Sequence, residues 1–152
     1  RGIQKNSVSA CPKHFACNNQ RRTQPQRFRV SERALREIYL KGFEICVKEA
    51  APQNLMTSYN LVNGVWSHYN YDLCTTVLRG EWGYDGSVMT DSVDAASEDP
   101  DFPALRDSAY RIRAQVDVLM PRLKTGETSR PPDEPIPATA RVLRGRKRPD
   151  NR

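Results

Sequence analysis

The sequence predicts an α/β fold: half of a TIM-type (β/α)8 barrel, followed by a disordered basic tail. Three observations predict it. Short apolar runs alternate with amphipathic stretches in the order strand, helix, strand, helix, strand, helix, strand. Strand starts lie roughly 30–45 residues apart, the length of a βαβ unit. Three runs end in reactive side chains, at Lys13-His14, Ser58-Tyr59-Asn60 and Asp91. Right-handed crossovers make such a sheet parallel and gather these ends on one side, where a parallel barrel keeps its chemistry. A doubly wound sheet is the alternative, but no Gly-rich phosphate loop follows any strand.

The first run ends at Lys13-His14. A helix is expected over Glu32 to Ala50. Leu35, Ile38, Tyr39, Gly42, Phe43, Cys46, Val47 and Ala50 make one apolar stripe at helical spacing. Ser31 suits the N-cap, and Glu32 suits the positive end of the dipole. Glu32–Arg36, Arg33–Glu37, Glu37–Lys41 and Glu44–Lys48 are opposite charges at i,i+4. Pro52 stops the helix. The second strand is Asn54 to Ser58, and Asn63-Gly64 marks a turn. A second helix, about Tyr71 to Glu81, turns Leu73, Cys74, Val77 and Leu78 inward. Gly83 closes it, and Asp85-Gly86 leads into the strand ending at Asp91. A third helix, about Ala104 to Gln115, places Leu105, Ala109, Ile112 and Val116 on one side. Asp117 to Met120 reads as the last strand, ended by Pro121.

Residues 1–121 therefore form one partial barrel domain and 122–152 a Pro/Arg-rich tail. The tail has five prolines and no periodicity, too little apolar area to offset chain entropy. It carries nine Lys/Arg against four Asp/Glu, which leaves only +1 of the net +6 to the rest. The basic balance thus belongs to the tail, and the folded part gives no electrostatic reason to expect nucleic acid. The mean hydropathy is −0.73, and no run approaches the roughly 18 apolar residues of a membrane span. Four cysteines are too sparse for a disulfide scaffold. Cys11, His14 and Cys17 do not form a C-x-x-C pair, and a strand points Cys11 and His14 to opposite faces. No metal and no cofactor are expected. The chain starts at Arg1 rather than Met and reads as a fragment or a processed product.

Several ordered blocks resemble glycoside hydrolase family 3, the family of many β-glucosidases and β-xylosidases. KHFACNNQ, residues 13–20, resembles its KHF-x-x-N-N-Q block. SERALREIYLKGFEICVKE, residues 31–49, reads like its hallmark helix. MTSYNLVNG (56–64), LRGEWGYDGSVMTD (78–91) and RAQVDVLMP (113–121) follow in the family's order. The resemblance covers roughly residues 2–121. It implies that Asp91 is the nucleophile of a retaining β-glycosidase acting on terminal β-linked sugars. It implies that Lys13 and His14 hold the glycone, that Tyr59 stands beside the nucleophile, and that Met56 lies near the same pocket.

Such chemistry needs a second carboxyl group about 5–5.5 Å from the nucleophile to protonate the leaving group. In the family that acid/base Glu lies on a later domain, and half the barrel is expected to precede residue 1. No second carboxylate stands out here. Glu32 and Glu37 belong to the charged helix face, and Glu81 and Asp85 precede the strand. Asp94, Glu98 and Asp99 fit a solvated loop better. The sequence also differs from the family in having Arg21 and Gln24 after the first block, and Ser92 where a Trp follows the nucleophile. The expectation is a glycosidase fragment, inactive alone, with a β-linked glycoside as partner and self-association through open barrel edges. A non-catalytic sugar-binding or interaction module is the alternative. A nucleic-acid binder working through the tail is a third reading.

Overall fold

The computed structural model describes residues 1–19, 27–91 and 108–120. Their strands in chain order are β1 (Arg27–Phe28), β2 (Asn54–Met56), β3 (Leu61–Val62), β4 (Val65–Trp66) and β5 (Ser87–Met89). Their α-helical segments are α1 (Glu32–Ala34), α2 (Lys41–Ala50) and α3 (Ser108–Arg113). The third expected helix begins partly among residues outside that set, as do the tail, Arg21, Gln24, Ser92, Asp94, Glu98 and Asp99.

Four segments of the chain run parallel in sequence order, which is the α/β arrangement the spacing predicts. Phe15 bridges Thr57, and Met89 bridges Val118. Between them β2 and β5 pair with Leu55 opposite Val88 and Met56 opposite Met89. The first and last strands thus shrink to bridges, while their backbone bonds remain. Met56 N–H donates to the Pro12 carbonyl, and Thr90 N–H to that of Val118.

One face of these strands packs against the helices. Phe15, Leu55 and Val88 are fully buried in one cluster with Leu78, Val77, Cys74 and Val47. Phe15 meets Phe43 and Trp82 edge-on, with centroids 5.1 and 5.9 Å away. Such edge-to-face pairs add to the area they bury.

The long helix differs from a single α-helix. Between α1 and α2, over Leu35–Tyr39, the backbone bonds reach five residues back, as in Leu40 N–H to the Leu35 carbonyl. That wider turn shifts the phase of the apolar stripe. Ile38, expected inward, is 66% exposed, and Leu40, which the stripe omits, is 1% exposed. Ser31 caps the helix as expected, its side chain accepting from Ala34 N–H. Glu32–Arg36, Arg33–Glu37 and Glu44–Lys48 all pair. Lys41 pairs with Glu44 in place of Glu37. The second helix, Asp72–Glu81, takes the same wide turn along its length and buries Leu73, Cys74, Val77 and Leu78. In α3, Ala109 is buried but Ile112 is exposed. The helix ends at Arg113, short of the expected Gln115, whose φ is 60°, and Val116 is buried as expected.

A second, smaller sheet stands beyond the strand ends. β1 lies parallel to β3, and β3 antiparallel to β4. The turn between β3 and β4 is the expected Asn63-Gly64, with φ of 51° and 87°. Two positive φ angles match the twist of a two-residue hairpin, which Asn-Gly supplies at least cost. Asn63 also exchanges two hydrogen bonds with the Val30 backbone, at 2.9 and 3.0 Å. This ties the start of the long helix to the hairpin.

Candidate active site

The strand register decides which side chains can meet. Phe15 N–H donates to the Met56 carbonyl (2.9 Å), Ser58 N–H to the Phe15 carbonyl (2.7 Å) and Thr57 N–H to the Met89 carbonyl (2.8 Å). These bonds set the ends of the first strand, β2 and β5 at one level. His14 and Asp91 both flank residues of the buried face, so alternation turns them to the opposite face. There His14 Nε2 lies 3.4 Å from Asp91 Oδ2. Their side chains are 22% and 13% exposed. A solvent-accessible carboxylate touching an imidazole can hold negative charge, exchange a proton or share a ligand's hydroxyl group.

The structure brings together two of the five predicted residues, His14 and Asp91. Met56 is buried in β2 opposite Met89. Tyr59 is half-buried just past β2, and Lys13 is exposed beside His14. The Lys13–His14 and Phe15–Ala16 peptide bonds are cis. Glu81, weighed as a second carboxylate, is instead clasped by Arg36 through both its oxygens. That contact depresses its pKa. Among the described residues, no three His, Cys, Asp or Glu side chains gather as a metal site would need.

Behind His14 lies a polar web that periodicity does not reveal. Ser58, Asn60, Ser67 and His68 are all at or below 1% exposure. Ser58 Oγ contacts the Ala16 carbonyl at 2.7 Å and Ser67 Oγ at 2.8 Å. Asn60 Nδ2 reaches the same Ala16 carbonyl at 3.2 Å. His68 donates to the Ser58 carbonyl, but burial dominates and pushes its pKa down to about 4. Its Nε2 is among the buried atoms without a partner. The one available signal is compositional: Ser-Tyr-Asn and Ser-His sit where an apolar strand pattern breaks.

A second device lies at the opposite end of β5. Asp117 Oδ2 accepts from Val88 N–H and from Arg79, both at 2.8 Å. Arg79 also donates to the carbonyls of Tyr84, Gly86 and Gln115. Gly86 is required there, since a Cβ would lie 2.6 Å from the Tyr84 hydroxyl and 2.8 Å from the Gln53 carbonyl. A shallow depression of about 550 Å³ is lined by Arg29, Val30, Ser31, Asn63 and Gly64. None of the five predicted residues borders it.

The family model described as the glycosyl hydrolase family 3 N terminal domain matches residues 1–129. A β-glucosidase of Ruminococcus albus is 43% identical over 120 residues, covering 78% of this chain and 13% of its own length. An exo-α-(1→6)-L-arabinopyranosidase of Bifidobacterium longum is 53% identical over 92 residues, covering 59% of this chain and 12% of its own. β-Glucosidase 3B of Thermotoga neapolitana, solved in complex with α-D-glucose, superposes with a TM-score of 0.68 at 41% identity. That match covers 79% of this chain and 16% of the other. The chain thus spans well under a fifth of the length of these relatives.

Proposed function

This chain belongs to glycosyl hydrolase family 3, and we propose that it forms part of the catalytic barrel of a retaining β-glycosidase. Asp91 is the nucleophile in this reading. Its carboxylate attacks the anomeric carbon of a terminal β-linked sugar, forming a glycosyl-enzyme intermediate that water then hydrolyses. Lys13 and His14 orient the glycone hydroxyls, Tyr59 stands beside the nucleophile, and Met56 lies near the same pocket. The observation that carries the reading is the 3.4 Å contact between His14 and Asp91, on strand ends that pairing holds level. A sugar hydroxyl placed against that pair gains a donor on one side and an acceptor on the other. Such hydrogen bonds orient the substrate and strengthen as charge develops in the transition state.

The proposal includes a division of labour. Residues 1–121 belong to half of a (β/α)8 barrel, and the basic segment 122–152 lies outside it. The acid/base carboxyl group comes from outside this chain, which is therefore inactive alone. Open barrel edges drive self-association, because unpaired strand edges seek partners.

An aryl-β-glucoside assay on the purified chain tests the first claim. No turnover is expected, and turnover abolished by Asp91→Asn overturns the claim of inactivity. Glucose titration by calorimetry tests the site: weak binding lost in His14→Ala and Asp91→Asn supports it, and binding indifferent to both removes it. Sedimentation velocity tests self-association, which a compact monomer with a cooperative melt refutes.

A further inference from the structure

We propose that Ser58 is a positioning residue for this site: its hydroxyl, fed by Ser67, holds the turn after His14 so that the imidazole stays against Asp91. The inference rests on the reading of His14 and Asp91 as the reactive pair.

Three contacts, Ser58 Oγ to the Ala16 carbonyl, Ser58 Oγ to Ser67 Oγ and Ser67 Oγ to the Asn60 carbonyl, share two hydroxyl protons. The Asn60 carbonyl already receives Ser67 N–H at 3.1 Å. With the Asn60 carbonyl already supplied, Ser67 Oγ–H can turn to Ser58 Oγ, which directs Ser58 Oγ–H to the Ala16 carbonyl. Hydrogen bonds in such a chain polarise one another.

Ser58 grips two consecutive peptide planes. Its N–H fixes the Phe15 carbonyl at 2.7 Å, and its hydroxyl fixes the Ala16 carbonyl at 2.7 Å. The first contact belongs to the parallel strand pairing. The second lies beyond it, where Cys17 turns to a φ of 64°. Without the hydroxyl, the Ala16 carbonyl keeps only Asn60 Nδ2 at 3.2 Å. It sits in a fully buried place, with Ala16 and Ser58 both at 0% exposure. An under-satisfied buried carbonyl is costly, and the peptide rotates to find a donor. His14 is two residues upstream, and its contact with Asp91 has little distance to give.

The chain has two histidines, which makes the test direct. Burial holds the His68 pKa down to about 4, which leaves His14 as the imidazole to follow. Its midpoint is read by ¹H–¹⁵N NMR of the imidazoles on the whole chain. Asp91→Asn sets the floor by lowering the midpoint, since a contacting carboxylate stabilises the imidazolium. Ser58→Ala is expected to give at least half that drop. Ser67→Ala, which removes only the upstream donor, gives a smaller one. Leu55→Val, on the helix-facing side, leaves the midpoint where it was and controls for general loosening. A folded Ser58→Ala with the wild-type midpoint overturns the proposal. If Ser58→Ala does not fold, the Ser67→Ala midpoint decides: a drop supports the proposal and no change overturns it. A midpoint unmoved by Asp91→Asn itself means the His14–Asp91 pairing fails, and the positioning role falls with it.

Discussion

The two faces of the parallel strands differ more than their sequences do. On the helix-facing side Phe15, Leu55 and Val88 are 0% exposed. On the other side, one residue from Phe15 and three from Val88, His14 and Asp91 remain 22% and 13% exposed and touch. A pleated strand sends neighbours to opposite faces. One set of backbone hydrogen bonds therefore aligns a core and a reactive pair at once. The buried core lies on one face and the proposed site on the other, which makes the two separable by mutation.

The largest effect breaks the helix-facing side. Leu55→Ala should cost about 2–5 kcal/mol of unfolding free energy, because the fixed helices cannot collapse into the gap. Urea denaturation followed by circular dichroism measures it. A loss under about 1 kcal/mol would mean that the helices pack loosely on the sheet.

Next comes the buried imidazole at the site end. The folded chain keeps His68 neutral down to about pH 4, while the unfolded chain protonates it near 6.5. Between those values the unfolded state binds more protons, so stability is complete above about pH 6.5 and falls as pH drops toward 4. The full contribution is about 3 kcal/mol at 1.36 kcal/mol per pH unit. The carboxylates Glu44 and Glu81, both held low by cationic neighbours, add their losses below about pH 4.5. His68→Gln should flatten the slope between pH 6.5 and 5 in urea midpoints. An equally steep slope in that variant would assign the effect elsewhere.

Asp91→Asn sharpens the comparison from the other face. It should shift stability by under about 1 kcal/mol, since the carboxylate is accessible and its truncation leaves no cavity. The same substitution should abolish glucose binding in calorimetry. A large stability loss would show that the pair holds the fold rather than a ligand. The smallest effect is a gain. Ala51 ends α2 in the left-handed region, with φ 45° and ψ 61°. Glycine adopts that conformation at no steric cost, so Ala51→Gly should add about 0.5–1 kcal/mol. A thermal melt that shifts downward would contradict it.

The order of elements was legible from periodicity and turn chemistry. Ser31 caps a helix, Asn63-Gly64 makes the hairpin turn, and the Leu73, Cys74, Val77, Leu78 stripe is buried as spaced. These rest on local backbone preferences, which a single sequence carries. Ile38 was misplaced because a wide helical turn changes the phase, which does not follow from spacing, while Ile112 is exposed within α3 where the spacing put it inward. The candidate site was legible as residue types at strand ends and as a family resemblance. Its contact was not.

By itself the sequence determined the α/β alternation and the family and named the candidate side chains, because period and motif are properties of neighbouring residues. Only the tertiary structure decided that His14 meets Asp91, that Glu81 is taken by Arg36, and that Ser58 grips the turn behind His14. Those contacts join residues 77, 45 and 42 positions apart. Separations of that size are closed by strand register and helix packing, which no local pattern encodes.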